Sequence, residues 1–202
     1  GTITVGNSPT SGLNLNGTRQ TIGRLVCTST PLIPSRIVFS TAPATLTVDQ
    51  NATSTYNGCI TGAVTLIKQN TGSLILANTN TSYGAFCVSN GSLIVSSTGT
   101  FGNNCTNVFV GGSGTLALSN TVAIADAATV WMPSNGVGTA KIHLADGVDE
   151  RVGWLYYGNK MQRVGTYGSS SSSAYHKDDT RFSGNGILRV LHDNSGTLIA
   201  VK

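Results

Sequence analysis

The chain repeats itself. GSLIL at 72–76 returns as GSLIV at 91–95 and as GTLAL at 114–118, the leading glycines standing 19 and then 23 residues apart. Weaker copies are GTITV at 1–5, GLNLN at 12–16 and ATLTV at 44–48, and between the clear copies lie AFCVS at 85–89 and NVFVG at 107–111. All place apolar residues two apart, the period of an extended strand with one buried face. One repeat of about twenty residues cannot bury that face alone, so the next must cover it. The pattern predicts an all-β solenoid. In it Leu74, Leu76, Leu93, Val95, Leu116 and Leu118 point inward and stack as ladders, with turns ~4.8 Å apart. Residues 1–132 then supply roughly six rungs over about 30 Å. A β-sandwich is the competing architecture. Glycine at the head of each copy and the scarcity of type I′ hairpin signals favour coil corners over hairpins.

Charged residues make up 10% of the chain and apolar residues 39%. An ordinary domain carries about 25% charge, so a charged helical bundle is excluded, and the apolar share excludes simple disorder. The net charge of +4 is unevenly spread, since up to Asn120 the chain holds only Arg19, Arg24, Arg36, Lys68 and one acid, Asp49. No run of Lys and Arg interleaves with aromatics, which argues against nucleic acid as a partner. No apolar run approaches the ~18 residues of a membrane span, and no basic-plus-apolar leader precedes the first strand. Membrane insertion is not expected, and the chain reads as a mature, processed or truncated product. Near Trp131 the composition changes, for the remainder holds Trp154, His143, His176, His192 and most of the charges. A last rung without a neighbour exposes core and unpaired backbone, so it needs a cover. We expect solenoid rungs over 1–132 and a cap module with a strand-like tail over 133–202, as one continuous unit. YGSSSSSA at 167–174 reads as a flexible loop of that cap.

The cysteines Cys27, Cys59, Cys87 and Cys105 have no CxxC spacing and no nearby histidine, which disfavours zinc. An oxidising compartment suits them better. They allow two disulfides in three pairings, of which Cys27 with Cys59 and Cys87 with Cys105 are preferred as neighbours along the chain. The plainer reading is four small buried hydrophobes.

The stretch from Tyr56 to Val95, YNGCITGAVTLIKQNTGSLILANTNTSYGAFCVSNGSLIV, resembles the bacterial autotransporter-associated β-strand repeat. Gly58, Ile60, Gly62, Leu66, Lys68, Gly72, Leu74, Leu76, Asn78, Thr79, Thr81, Gly84, Gly91, Leu93 and Val95 fill its positions. LNLNGTRQTIGRL at 13–25 looks like another rung of such proteins, and residues 142–190 are similar to their terminal module. The resemblance implies a secreted or cell-surface right-handed parallel β-helix, a passenger or stalk segment. It implies no reaction. Two departures stand out: no outer-membrane barrel follows, and LHDNSGTLIAVK at 191–202 continues beyond the module.

Chemistry is sparse in this reading. Asp49 is the one acid before Asp126, and a single carboxylate cannot serve as both acid and base. The YHKDDTRF cluster (His176, Asp178, Asp179, Arg181) offers a metal site or an acid pair, but a salt-linked loop pinning the cap is preferred, with an Asp capping amides and Arg181 pairing it. ADGVDER (Asp146, Asp149, Glu150, Arg151) lacks calcium-loop spacing and reads as a solvated turn. No GxSxG, HExxH, Walker or Rossmann motif occurs. No catalytic residue, metal or cofactor is therefore expected. Irregular Thr-rich stretches raise ice binding as a minor reading against ordinary strand propensity.

These features lead to a non-enzymatic extracellular structural protein, secreted or at the cell surface, whose copies stack head to tail into a filament. The termini GTITV and GTLIAVK are both strand-like, and a solenoid edge is a template for another strand. Ile3, Val5, Leu198, Ile199 and Val201 would carry the apolar part of the joint. The partner is another copy of the chain, with surface polysaccharide as a second. The alternatives are a glycan-binding or adhesive module displaying Trp131, Trp154, Tyr156 or Tyr157, and a β-helix carbohydrate-active enzyme with clustered acids.

Overall fold

Successive turns of chain pair in parallel almost throughout the computed structural model, which describes residues 1–5, 12–27 and 37–194. No helix occurs among them, and the strands wind into a solenoid of about six turns. Three faces form its wall. The first holds Gly12–Asn14 and the starts of the long strands Ile37–Asp49 and Cys59–Gln69, followed by Thr81–Ser82. It continues through short bridging segments to Asp149–Val152 and Ile187–Val190. The second runs from Arg19–Ile22 through the later halves of those long strands to the starts of Phe86–Val95 and Asn107–Leu118, then to Thr129–Met132 and Trp154–Tyr157. The third stacks Thr2–Thr4, Arg24–Val26, Ser54–Tyr56, Ser73–Leu76, the ends of Phe86–Val95 and Asn107–Leu118, Lys141–Leu144 and Phe182–Ser183.

The repeat copies occupy the third face. Leu74 pairs with Leu93 and Leu93 with Leu116, while Leu76, Val95 and Leu118 form the neighbouring column. All six are fully buried, as the alternation predicts. The second face contributes the inward column Leu46, Leu66, Phe86, Val108, Val130, Leu155, and inside the coil Phe86 stacks on Phe101 with ring centres 4.2 Å apart. Like residues recur at one height because parallel pairing superimposes each turn on the last.

Those repeats begin with glycine because of a close approach at the corner. A Cβ on Gly72 would fall 2.4 Å from the Ala52 carbonyl oxygen, and one on Gly91 would fall 2.3 Å from that of Gly72. Gly91 also sits at φ 63°, in the left-handed region that side chains resist.

Residues 158–181 interrupt the winding between Trp154–Tyr157 and Phe182–Ser183. Lys160–Met161 folds back antiparallel on Trp154–Tyr157, and Gly165–Gly168 lies antiparallel on Ile187–Val190 with His176–Lys177 beside it. The serine run expected to be a flexible loop is an ordered turn instead. Ser169 and Ser172 are buried, Ser169 Oγ donates to Gly184 O at 2.6 Å and Ser172 Oγ donates to Ser169 O at 2.8 Å. Short hydroxyl side chains bond the backbone locally, so a serine run can satisfy a tight turn rather than loosen it.

Candidate functional site

Three regions bear on function: the first turn, the outer faces and the cap junction. At the first turn, Val5 N–H donates to Val26 O and Gly1 O accepts from Gly23 N–H. Odd residues of Thr2–Thr4 and its flanks thus face the second turn, and the N–H and C=O groups of Thr2 and Thr4 point to the other edge. Among the described residues nothing pairs with that edge, nor with the corresponding edges of Gly12–Asn14 and Arg19–Ile22. Ile3 is half-buried there, whereas Val5 lies in the core, 5% exposed. Val5 therefore contributes packing to its own turn rather than side chain to a joint. Leu198, Ile199 and Val201 lie outside the described residues. The opposite end is covered on two faces: the second face ends on Lys160–Met161 and the first on Gly165–Gly168 with His176–Lys177, while the third ends on Phe182–Ser183, which pairs only with Lys141–Leu144 among the described residues.

The disulfide expectation is corrected. Cys27, Cys59, Cys87 and Cys105 are all free. In each preferred pair one thiol points into the core, Cys27 and Cys105, while the other, Cys59 or Cys87, sits on the outward side of a strand. Closeness along the chain is not closeness across a solenoid wall. Burial pushes the Cys87 and Cys105 thiols up to about 11, away from the reactive thiolate.

On the outer second face Phe109, Trp131 and Tyr156 stand on consecutive turns with ring centres 6.0 and 4.3 Å apart and nearly parallel planes. The rings cover one another's faces, and Trp131 Nε1 donates to Asn107 Oδ1 at 3.0 Å. Trp154 packs against His192, ring centres 5.0 Å apart. Trp131 is flanked on both sides, whereas Phe109, 41% exposed, stands at the end of the stack.

The YHKDDTRF cluster forms the salt-linked loop expected of it. Asp178 Oδ1 accepts from the Thr180 and Arg181 amides at 2.9 and 3.3 Å, and its Oδ2 accepts from Arg181 Nη1 at 2.9 Å. Burial alone would raise Asp178, yet the Thr180 and Arg181 donors hold it below the usual carboxylate range. Asp179 accepts from Ser170 N at 2.7 Å. What the sequence did not reveal is the far partner. Arg181 also donates through Nη2 to Pro133 O, at 3.3 Å, and to Asn135 Oδ1, and its guanidinium lies 4.0 Å from the ring centre of Tyr157. Cavities of about 500 and 410 Å³ flank this arginine, the first under residues 133–140, the second beside Tyr157, Lys160 and Gln162. No local motif announces contacts across 46 residues.

Two further buried charges have no motif to mark them. Glu150, expected on a solvated turn, is instead fully buried, and its carboxylate accepts from Ala123 N at 3.1 Å and Ile124 N at 2.6 Å. The alternation of Asp149–Val152 is the available signal, since Glu150 shares the inward parity of Val152 while Asp149 turns out to pair Arg189 at 2.6 Å. Lys68 is fully buried in the column between Val48 and Val88. Comparison of the chain with protein-family models, with curated proteins and with solved structures returns no match.

Proposed function

We propose that the chain is a non-enzymatic extracellular structural protein, a β-solenoid rod whose copies join head to tail by strand addition. The observation that carries this reading is the inequality of the two ends. Among the described residues no strand pairs with the outer edges of the first turn, which makes them a template for another strand. The last turn ends on the two-residue strands Lys160–Met161, His176–Lys177 and Phe182–Ser183, and edges this short, two of them bearing lysine, discourage pairing. Rim-on-rim stacking is thus disfavoured, and a tail strand entering the neighbour's first turn is favoured. GTLIA at 196–200 has the same Gly-Ser/Thr-Leu heading as the third-face strands, and GTITV at 1–5, its acceptor, belongs to that face. Like would then lie on like across the joint. Such a contact is heterologous and does not close, so it propagates as a fibre. The resemblance to autotransporter-associated repeats agrees with a bacterial surface or secreted rod, and surface polysaccharide is the second partner in this reading.

Thr4→Pro tests it. Proline removes an N–H on the free edge and none of the bonds to Arg24–Val26. Purified wild type should show fibres by negative-stain electron microscopy. The Thr4→Pro chain and a chain lacking 195–202 should remain single particles with unchanged circular dichroism. Wild type that sediments as a monomer across the micromolar range, or fibres that persist in both variants, would refute the joint.

A further inference from the structure

The cap junction holds unused hydrogen-bonding capacity, and that capacity is one-sided. Arg181 is 8% exposed, its Nε has no partner, and the buried Tyr157 hydroxyl has none either among the described residues. The guanidinium stands over the Tyr157 ring, so the two orphaned groups belong to one patch. Acceptors nearby are already committed: Asp178 takes Thr180 and Arg181, and the Asn135 side-chain carbonyl takes Arg181 Nη2. Lys160, on the wall of the second cavity, makes no ion pair among the described residues. Burying polar groups unpaired is costly, so an acceptor ligand relieves a standing penalty.

We propose that this junction binds the carboxylate of an acidic monosaccharide of the uronic acid type. Asn135 marks the entry. Its neutral amide oxygen holds the guanidinium, an arginine donor that pairs more strongly with a charged carboxylate. Asn135 lies on the wall shared by the two cavities, in a loop where Gly136 and Gly138 take positive φ of 77° and 73°. Swinging it aside joins the two spaces and frees Arg181 Nη2, which with the unpaired Nε forms a two-donor edge for the carboxylate, the Tyr157 hydroxyl and Lys160 being further donors. The volumes, about 500 and 410 Å³, suit a sugar ring beside the carboxylate. The site uses none of the joint residues, so Tyr157→Phe separates ligand binding from assembly.

The test is titration of the full chain with sodium glucuronate, followed by amide and side-chain NMR shifts. Shifts should concentrate at Asn135, Gly136, Tyr157 and Arg181 with a millimolar or tighter dissociation constant, while glucose and acetate at equal concentration leave them unmoved. Tyr157→Phe removes an unpaired oxygen, so it should keep thermal stability and weaken glucuronate at least ~5-fold. Asn135→Ala removes the competing acceptor and should tighten it severalfold. A glucose or acetate response equal to that of glucuronate, no shift at all, or variants that bind like wild type would overturn the assignment.

Discussion

Replacing Lys68 by methionine is expected to cost about 2–3 kcal/mol of folding stability, since the Asn70 carbonyl loses its 2.7 Å donor and that of Gln69 keeps only the Gln50 amide at 3.3 Å, which outweighs the relief of a desolvated charge. The ammonium donates to Gln69 O at 2.6 Å and Asn70 O at 2.7 Å, with Asn90 O at 3.4 Å and Gln50 O at 3.5 Å completing a ring drawn from three successive turns. It closes the corner between the second and third faces, where the Gln69 and Gln50 carbonyls also accept from the Gln50 and Gly72 amides, at 3.3 and 2.9 Å. Burial pulls the ammonium down to about 8, with Asp49 opposing, so at neutral pH the group is still charged and donates fully. Methionine fills the same length and leaves the ladder of Val48 and Val88 intact, but supplies no donor. Urea unfolding at pH 7 measures the loss, and amide exchange should speed up first around Gln50, Gln69 and Asn90. A change below about 1 kcal/mol, the typical net worth of one hydrogen bond, would mean that water reaches those carbonyls, and the ammonium would then be a passenger in the core.

Lys68 also shows which parts of such a fold can be read from sequence. In a parallel coil the turn length is the repeat length, so GSLIL, GSLIV and GTLAL announce both the third face and its register. The first face carries no such signal. Between Thr81–Ser82 and Asp149–Val152 it is built from one- and two-residue bridges too short to show alternation. Asp178 and Arg181 are legible as partners because they stand three apart on one loop, whereas Asn135 meets the same arginine only because residues 158–181 fold back over the last turns. Disulfide pairing fails for the complementary reason. Sequence distance measures how far along the coil two residues lie, and parity decides which side of the wall they face; Cys87 and Cys105 lie on opposite sides. Parity likewise places Glu150 inside.

Glu150 makes the stability of the coil depend on pH in the direction opposite to an ordinary surface carboxylate. Burial raises it to about 7, against the pull of the Ile124 and Ala123 amides and with Asp126 and Asp149 adding repulsion. The folded state therefore keeps its proton between about pH 4.5 and 7 while the unfolded chain has released it. Stability from this group is complete below the unfolded value and declines as pH rises through the folded one. The full swing is at most about 3 kcal/mol, because each tenfold difference in proton affinity between the folded and unfolded chain is worth about 1.36 kcal/mol. Glu150→Gln isolates it. The amide cannot ionise and can accept one backbone N–H but not both, so the variant should be about 1–2 kcal/mol less stable than wild type near pH 4.5. By about pH 8, above the folded value, it should equal or exceed wild type. Asp178, held below the usual range, titrates with the opposite sign in both chains and cancels in the difference. Urea denaturation from about pH 4.5 to 8.5 gives that difference directly, and two parallel stability curves would show that the carboxylate enters the core with no penalty for its charge.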